Sequence, residues 1–199
     1  MKEFFPFPAE EARVSYQVLS GSPSGVELWT VAAKNSVLAE YETAVTPMNG
    51  GAALTLPATA ALLPLLPEGN DAGQILIHVC SGWVTAVVVE GTRLRAWRTR
   101  QLGQVSTEQL AQEVASEAAR VEASARDHLH LRIERLHLCV RPPGSQELIS
   151  SLAPAVSCPV DVLAPPRELG TALTNAEGML FQHFGATVAG VLSNSGKES

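Results

Sequence analysis

The sequence predicts an α/β protein with a smaller α+β piece at its front. Three strand patterns succeed one another between Gln74 and Arg100 with only short turns between them. A long amphipathic helix pattern carrying a capping signature comes next, and strand and helix patterns then alternate to near the end of the chain. Strands joined by tight turns pair antiparallel, whereas strands separated by helices pair in parallel, so both kinds of pairing are expected in one sheet.

The front piece is placed at residues 1–67. Val14 to Ser20 and Gly25 to Ala33 are rich in Val, Leu and aromatics and are separated by Gly21, Ser22, Pro23 and Ser24, which predicts a hairpin. Asn35 or Ser36 can cap a following helix whose apolar face is Val37, Leu38, Tyr41 and Val45, and Pro47 with the Gly50, Gly51 pair ends it. Ala52 to Thr55 reads as a short strand, and Pro57 as the first turn of a helix through Leu66. The order is therefore ββαβα. The polar, turn-rich stretch Pro67 to Gly73 (PEGNDAG) is the expected boundary with a second domain over 68–192.

Within that domain Gln74 to Cys80, Val84 to Glu90 and Leu94 to Arg100 are the three strands, with Glu90 and Gly91 in a tight hairpin. Ser106 and Gln109 form a capping box; Leu110, Val114, Ala118, Val121 and Ala125 mark the buried stripe of the helix, and its charges are expected on the opposite face. Ile133 to Val140 is a fourth strand, Ser145 caps a short helix through Leu152, and Val160 to Leu163 is a fifth strand behind Pro159. A last helical region runs from Thr171 to Leu192, and the small, polar tail 193–199 is expected to be disordered. The order βββαβαβα is that of a ribonuclease-H-like domain, in which the first strand is central and the fourth and fifth extend the sheet in parallel.

Bulk properties exclude several function classes. Of 199 residues only 14 are Lys or Arg and the net charge is −6, so no basic stripe is available for a nucleic-acid backbone. The opening MKEFFPFPAEEAR has prolines and acids where a secretory signal needs an apolar run. The most apolar segment, Ala52 to Pro67, is broken by Pro57 and Pro64 and falls short of the roughly 20 residues a membrane span requires. A cytoplasmic location without membrane insertion is expected. Cys80, Cys139 and Cys158 are odd in number and lie in or beside apolar, strand-like runs, which fits reduced thiols.

Several phrases resemble the PilM family of type IV pilus assembly proteins, cytoplasmic relatives of actin, FtsA and the cytoplasmic part of the secretion protein GspL. Phe5, Pro6, Phe7, Pro8 with Glu10 and Glu11, then Ser15, Tyr16, Gln17, Val18 and Leu19, looks like the family's "PFP-x-EE … DYQVL". Glu27 to Ala33 before a helix is similar to its "VLLVAA-P", Gln74 to Gly91 to its "LVDIGASSTTLSVVRDG", and Leu136 to Gly144 stands where the family has "LYLTGGGA". The resemblance implies an actin-like fold. Family members carry a further nucleotide-binding subdomain ahead of the Phe-Pro phrase; here it is expected to be missing, or supplied by a separate polypeptide.

An actin-like site grips phosphates with glycine-rich hairpins and a carboxylate that holds magnesium through water. The phosphate loop implied by the resemblance is His78, Val79, Cys80, Ser81, Gly82, Trp83, in which His78 and Cys80 stand at the family's Asp and first Gly. The implied adenosine loop is Val140, Arg141, Pro142, Pro143, Gly144, where two prolines remove amide donors. Both loops read as degenerate, so neither a cofactor nor catalysis is expected. The alternative is an actin-like ATPase or kinase fragment, with ATP and magnesium, completed by another chain.

His78, Cys80 and Cys139 can converge at one end of the sheet and offer three zinc ligands, but with only three such groups they read as strand residues, as do His128, His130 and His137 as structural or exposed. The expected role is a non-catalytic scaffold, a pseudo-ATPase, in the inner-membrane platform of a type IV pilus or type II secretion machine. The expected partner is a PilN-like peptide or another platform protein, which places the chain peripheral to the inner membrane; self-association is an additional possibility. Trp29 is the first candidate for partner contact.

Overall fold

The computed structural model describes residues 7–23, 25–48, 55–67, 72–80, 82–103, 106–141, 145–164, 181 and 185–186. The chain divides into two compact units, Met1–Leu56 and Pro57–Ser199.

In the first unit β1 (Ala12–Ser22) and β2 (Gly25–Lys34) form the expected hairpin, an antiparallel ribbon with a bulge between Val18 and Ser20. Helix α1 (Asn35–Val45) follows directly. Neither Asn35 nor Ser36 caps it: Lys34 stands at the N-cap in an extended conformation and no side chain bonds the free amides there. Both residues are instead inside the first turn. Side chains alternate faces along a strand, so Arg13, Trp29, Val31 and Ala33 share one face of the ribbon. Arg13 bonds Glu42 of α1, and Trp29, Val31 and Ala33 are half-buried, so α1 lies on that face. The helix contributes Leu38, Glu42 and Val45, whereas Val37 and Tyr41 are exposed, contrary to the expected apolar stripe. The opposite face carries Val14, Tyr16, Val18, Val26 and Leu28, between 47% and 69% exposed. Of the expected strand Ala52 to Thr55 only Thr55 falls within the described residues, and it is not in a strand.

The second unit begins with α2 (Ala58–Leu62), extended by a 3-10 turn at Leu63–Leu65. Its sheet comprises β3 (Gly73–Cys80), β4 (Trp83–Glu90), β5 (Arg93–Gln101), β6 (Ile133–Arg141) and β7 (Val160–Val162), with α3 (Thr107–Leu129) and α4 (Ser145–Leu152) between strands. The strand order is β5-β4-β3-β6-β7. β3 pairs antiparallel with β4 and parallel with β6, and β6 parallel with β7. This is the expected topology, with the first strand of the domain central. Phe181, Gly185 and Ala186 are helical; the rest of the expected helix after Thr171, and the tail, lie outside the described residues.

Both faces of the sheet are covered. Ile75, Ile77 and Val79 of β3 pack with Val84, Ala86 and Val88 of β4 under α3 and α4, where Val114, Ala118 and Leu152 are fully buried. On the other face Leu62 packs with Leu76, Val87, Val89, Cys139 and Leu163. The burial of Leu62 on this sheet corrects the expected domain boundary. Composition placed it after Pro67, but α2 covers the second unit's apolar face, and burial of that kind outweighs a turn-rich stretch.

Ser106 caps α3 as expected, its hydroxyl accepting from the Gln109 amide while the Gln109 side chain accepts from the Ser106 amide. Not all charges of α3 face away from the core. Glu117 is 2% exposed and Glu122 is buried, because each has partners that offset desolvation. Glu117 bonds Arg98 of β5 and lies 3.7 Å from Arg100. Glu122 accepts from the Ser157 amide at 3.0 and 3.1 Å and from its hydroxyl at 2.5 Å. Among the described residues no helix is long and apolar enough to cross a membrane.

If α2 belongs to the core of the second unit, Leu62→Ala lowers stability by about 2–5 kcal/mol in urea unfolding, the usual loss for a fully buried leucine. An unchanged midpoint would detach α2 from that core.

Candidate functional site

Open α/β sheets bind ligands at the carboxyl ends of parallel strands, which here are the ends of β3 and β6. At the end of β3, Cys80 pairs with Trp83, the first residue of β4, as the closing pair of the hairpin. Gly82 has φ +78°, a left-handed conformation open to glycine, and its carbonyl accepts from the Leu102 amide at 2.7 Å. This ties the hairpin to the segment after β5. Trp83 is 45% exposed. Ser81 lies outside the described residues, as do Pro142, Pro143 and Gly144 of the second loop; of that loop Val140 is buried and Arg141 exposed.

Register aligns Thr99, Thr85, His78 and Cys139 in one row across β5, β4, β3 and β6. The row lies on the face covered by α2. Thr85 and Thr99 share a hydroxyl hydrogen bond at 3.1 Å, and His78 Nδ1 shares one at 2.8 Å with the buried Thr59 hydroxyl of α2. Cys80 and Arg141 are partners in the next row.

Burial of His78, reinforced by the Arg141 charge, brings its pKa down to about 4, so the imidazole is neutral at pH 7. Because the folded value lies below the unfolded 6.5, the stability this group contributes is complete above pH 6.5 and is lost as pH falls toward 4, about 3 kcal/mol in all. One strand over, His137 Nε2 donates to Gln74 Oε1 at 3.0 Å, and Gln74 Nε2 donates to the Pro67 carbonyl at 3.1 Å. Burial lowers the pKa of His137 as well; Asp161 opposes the shift and Arg135 adds to it.

His78 and Cys139 do come together, as strand neighbours, and Cys80 is near enough to act on Cys139 electrostatically. Burial, then Cys80, pushes the Cys139 thiol up to about 12, and burial, then Glu122, pushes Cys158 up to about 11. Among the described residues no group of three or more His, Cys, Asp or Glu is arranged to hold a metal ion. His128 and His130 are exposed at the end of α3, where His130 is the left-handed C-cap with φ 53°. Trp29 is half-buried in β2 opposite Gln17, and Trp97 packs against the α2-side core while its Nε1 donates to Thr99 Oγ1.

Two pairings escaped the sequence reading, Thr59 with His78 and Gln74 with His137. Alternation along β3 puts Gln74, Leu76, His78 and Cys80 on one face, and a polar residue flanking a leucine there is the signal that would have found them.

Sheet order, the parallel extension beyond β3 and the helices on both faces define an actin-like fold. No family model and no curated protein matches the sequence, whereas 61 chains among solved structures match the structure. Within the actin-like class the fold is PilM-like. A chain of a PilM–PilN type IV pilus biogenesis complex superposes with a TM-score of 0.74 at 14% identity, covering 96% of this chain and 69% of that one. A Bacteroides thetaiotaomicron protein of actin-like ATPase fold and unknown function superposes with a TM-score of 0.50 at 11% identity, over 84% of this chain and 60% of that one.

The thiols separate by burial, Cys80 being half-buried and Cys139 and Cys158 buried. With Ellman's reagent at pH 8, Cys80 is expected to react in the native protein while Cys139 and Cys158 react only on unfolding. Fast native labelling of Cys139 would contradict its placement.

Proposed function

We propose that this chain is a non-catalytic, PilM-like scaffold of the inner-membrane assembly platform of a type IV pilus or type II secretion machine. The observation that carries this reading is the likeness over 96% of the chain to a chain of the PilM–PilN complex. On that reading its partner is a PilN-like peptide or another platform protein, and it works in the cytoplasm, attached to the inner membrane through that partner.

The chemistry at the ends of β3 and β6 supports the absence of catalysis. A magnesium-dependent phosphate site needs an anionic carboxylate and close backbone approach. At the position of the family's aspartate stands His78, a buried, neutral imidazole already bonded to Thr59. At that of its first glycine stands Cys80, whose Cβ restricts the approach, and Trp83 adds a half-exposed indole beside it. Degenerate nucleotide loops account for all three.

Only a ligand that binds the native state raises its melting temperature. Magnesium with ATP is expected to leave the melting temperature unchanged. A synthetic peptide of the PilN-type cytoplasmic tail, at about a hundred times its Kd, is expected to raise it by about 5 °C or more. An ATP-dependent rise with no response to the peptide would overturn the scaffold reading in favour of a nucleotide-binding actin-like fragment completed by another chain.

A further inference from the structure

Residues 57–67 open the second unit, and two imidazoles of the sheet anchor them. Toward its beginning, Thr59 of α2 bonds His78 of β3; at its end, the Pro67 carbonyl is held by Gln74, which His137 of β6 fixes from behind. Between these two polar anchors the contacts are aliphatic: Leu62 is fully buried and Leu63, Leu65 and Leu66 pack beside it on Leu76, Val87 and Val89. Both imidazoles are buried on this face, 6% and 4% exposed, whereas α3 and α4 cover the other.

We propose that residues 57–67 form an acid-released latch: two neutral imidazoles, His78 and His137, hold the segment on the sheet, and protonating them frees it while the core under α3 stays folded. A buried imidazole gains a proton only by regaining solvent. The element that can move aside to admit solvent is the short helix, since the sheet is fixed by its ladders and by the apolar layer under α3 and α4.

The groups facing His78 reinforce the release. From β6 come Cys139 and the Arg141 cation, from its own strand Cys80, from β4 the Thr85 hydroxyl, and from α2 the Thr59 hydroxyl. The charge acting on His78 is thus repulsive to a second cation. His137 sees Asp161 on β7, but that carboxylate is bonded to Arg135, so the two charges largely offset one another.

Amide hydrogen exchange, corrected for intrinsic rates, tests the latch in the intact chain. Between pH 7 and pH 4.5 the protection of residues 58–66 is expected to fall roughly tenfold or more, with α3 retaining its protection. In a His78→Gln, His137→Gln variant the fall is expected to disappear. Loss of protection in α3 in step with 58–66, or a fall of the same size in the double variant, would overturn the latch. Should that variant not fold, NMR titration of the wild-type histidines decides: His78 and His137 must titrate below 6.5 together with the opening of 58–66, and titration without opening refutes it.

Discussion

The second unit depends on one strand, β3, being buried from Gly73 through Val79. Its hydrogen-bonding edges are taken by β4 on one side and β6 on the other, so both pairing modes of the sheet meet on it. Ile75, Ile77 and Val79 serve the core under α3, and Gln74, Leu76 and His78 serve the layer under α2. Every polar group brought into such a strand needs a partner, because desolvation without one costs several kcal/mol. Its first residue is held as closely as its side chains: a Cβ on Gly73 would stand 2.7 Å from the Arg132 carbonyl and 2.8 Å from Leu131 Cγ. Position 73 must therefore be glycine for the chain after α3 to approach the sheet.

The sequence carried the architecture of this unit because each element has a local signature. Three apolar runs with a glycine turn, a capping box ahead of a heptad-like stripe and alternating β and α patterns required no tertiary information. What failed was what tertiary contact alone decides. The boundary was misplaced because a proline- and glycine-rich stretch marks a turn but says nothing of which core the preceding helix joins. Glu117 and Glu122 read as solvated because their partners, Arg98 and Ser157, are distant in sequence. The caps of α1 were misassigned because a residue that can cap also sits in a first helical turn.

The candidate site was legible in part. Neighbouring first and fourth strands allow His78, Cys80 and Cys139 to converge at one end of the sheet; the register sets His78 beside Cys139 and Cys80 beside Arg141. Thr59 was out of reach, since α2 had been assigned to the other unit. That one misassignment hid the partner of the most perturbed histidine in the chain, so boundary and chemistry were errors of a single origin.

β5 is an edge of the sheet, and four of its nine residues are arginines. Arg95, Arg98 and Arg100 each pair with a glutamate, on the same hairpin or on α3. A strand whose rim carries fixed, hydrated cations is a poor template for another strand, since a newcomer would have to strip that charge of water. At the opposite edge β7 has only three residues, too few to recruit a neighbour. Among the described residues both margins of the sheet are thereby poor templates for growth, which guards a strongly apolar centre against fibre-like stacking when many copies of the chain are crowded together.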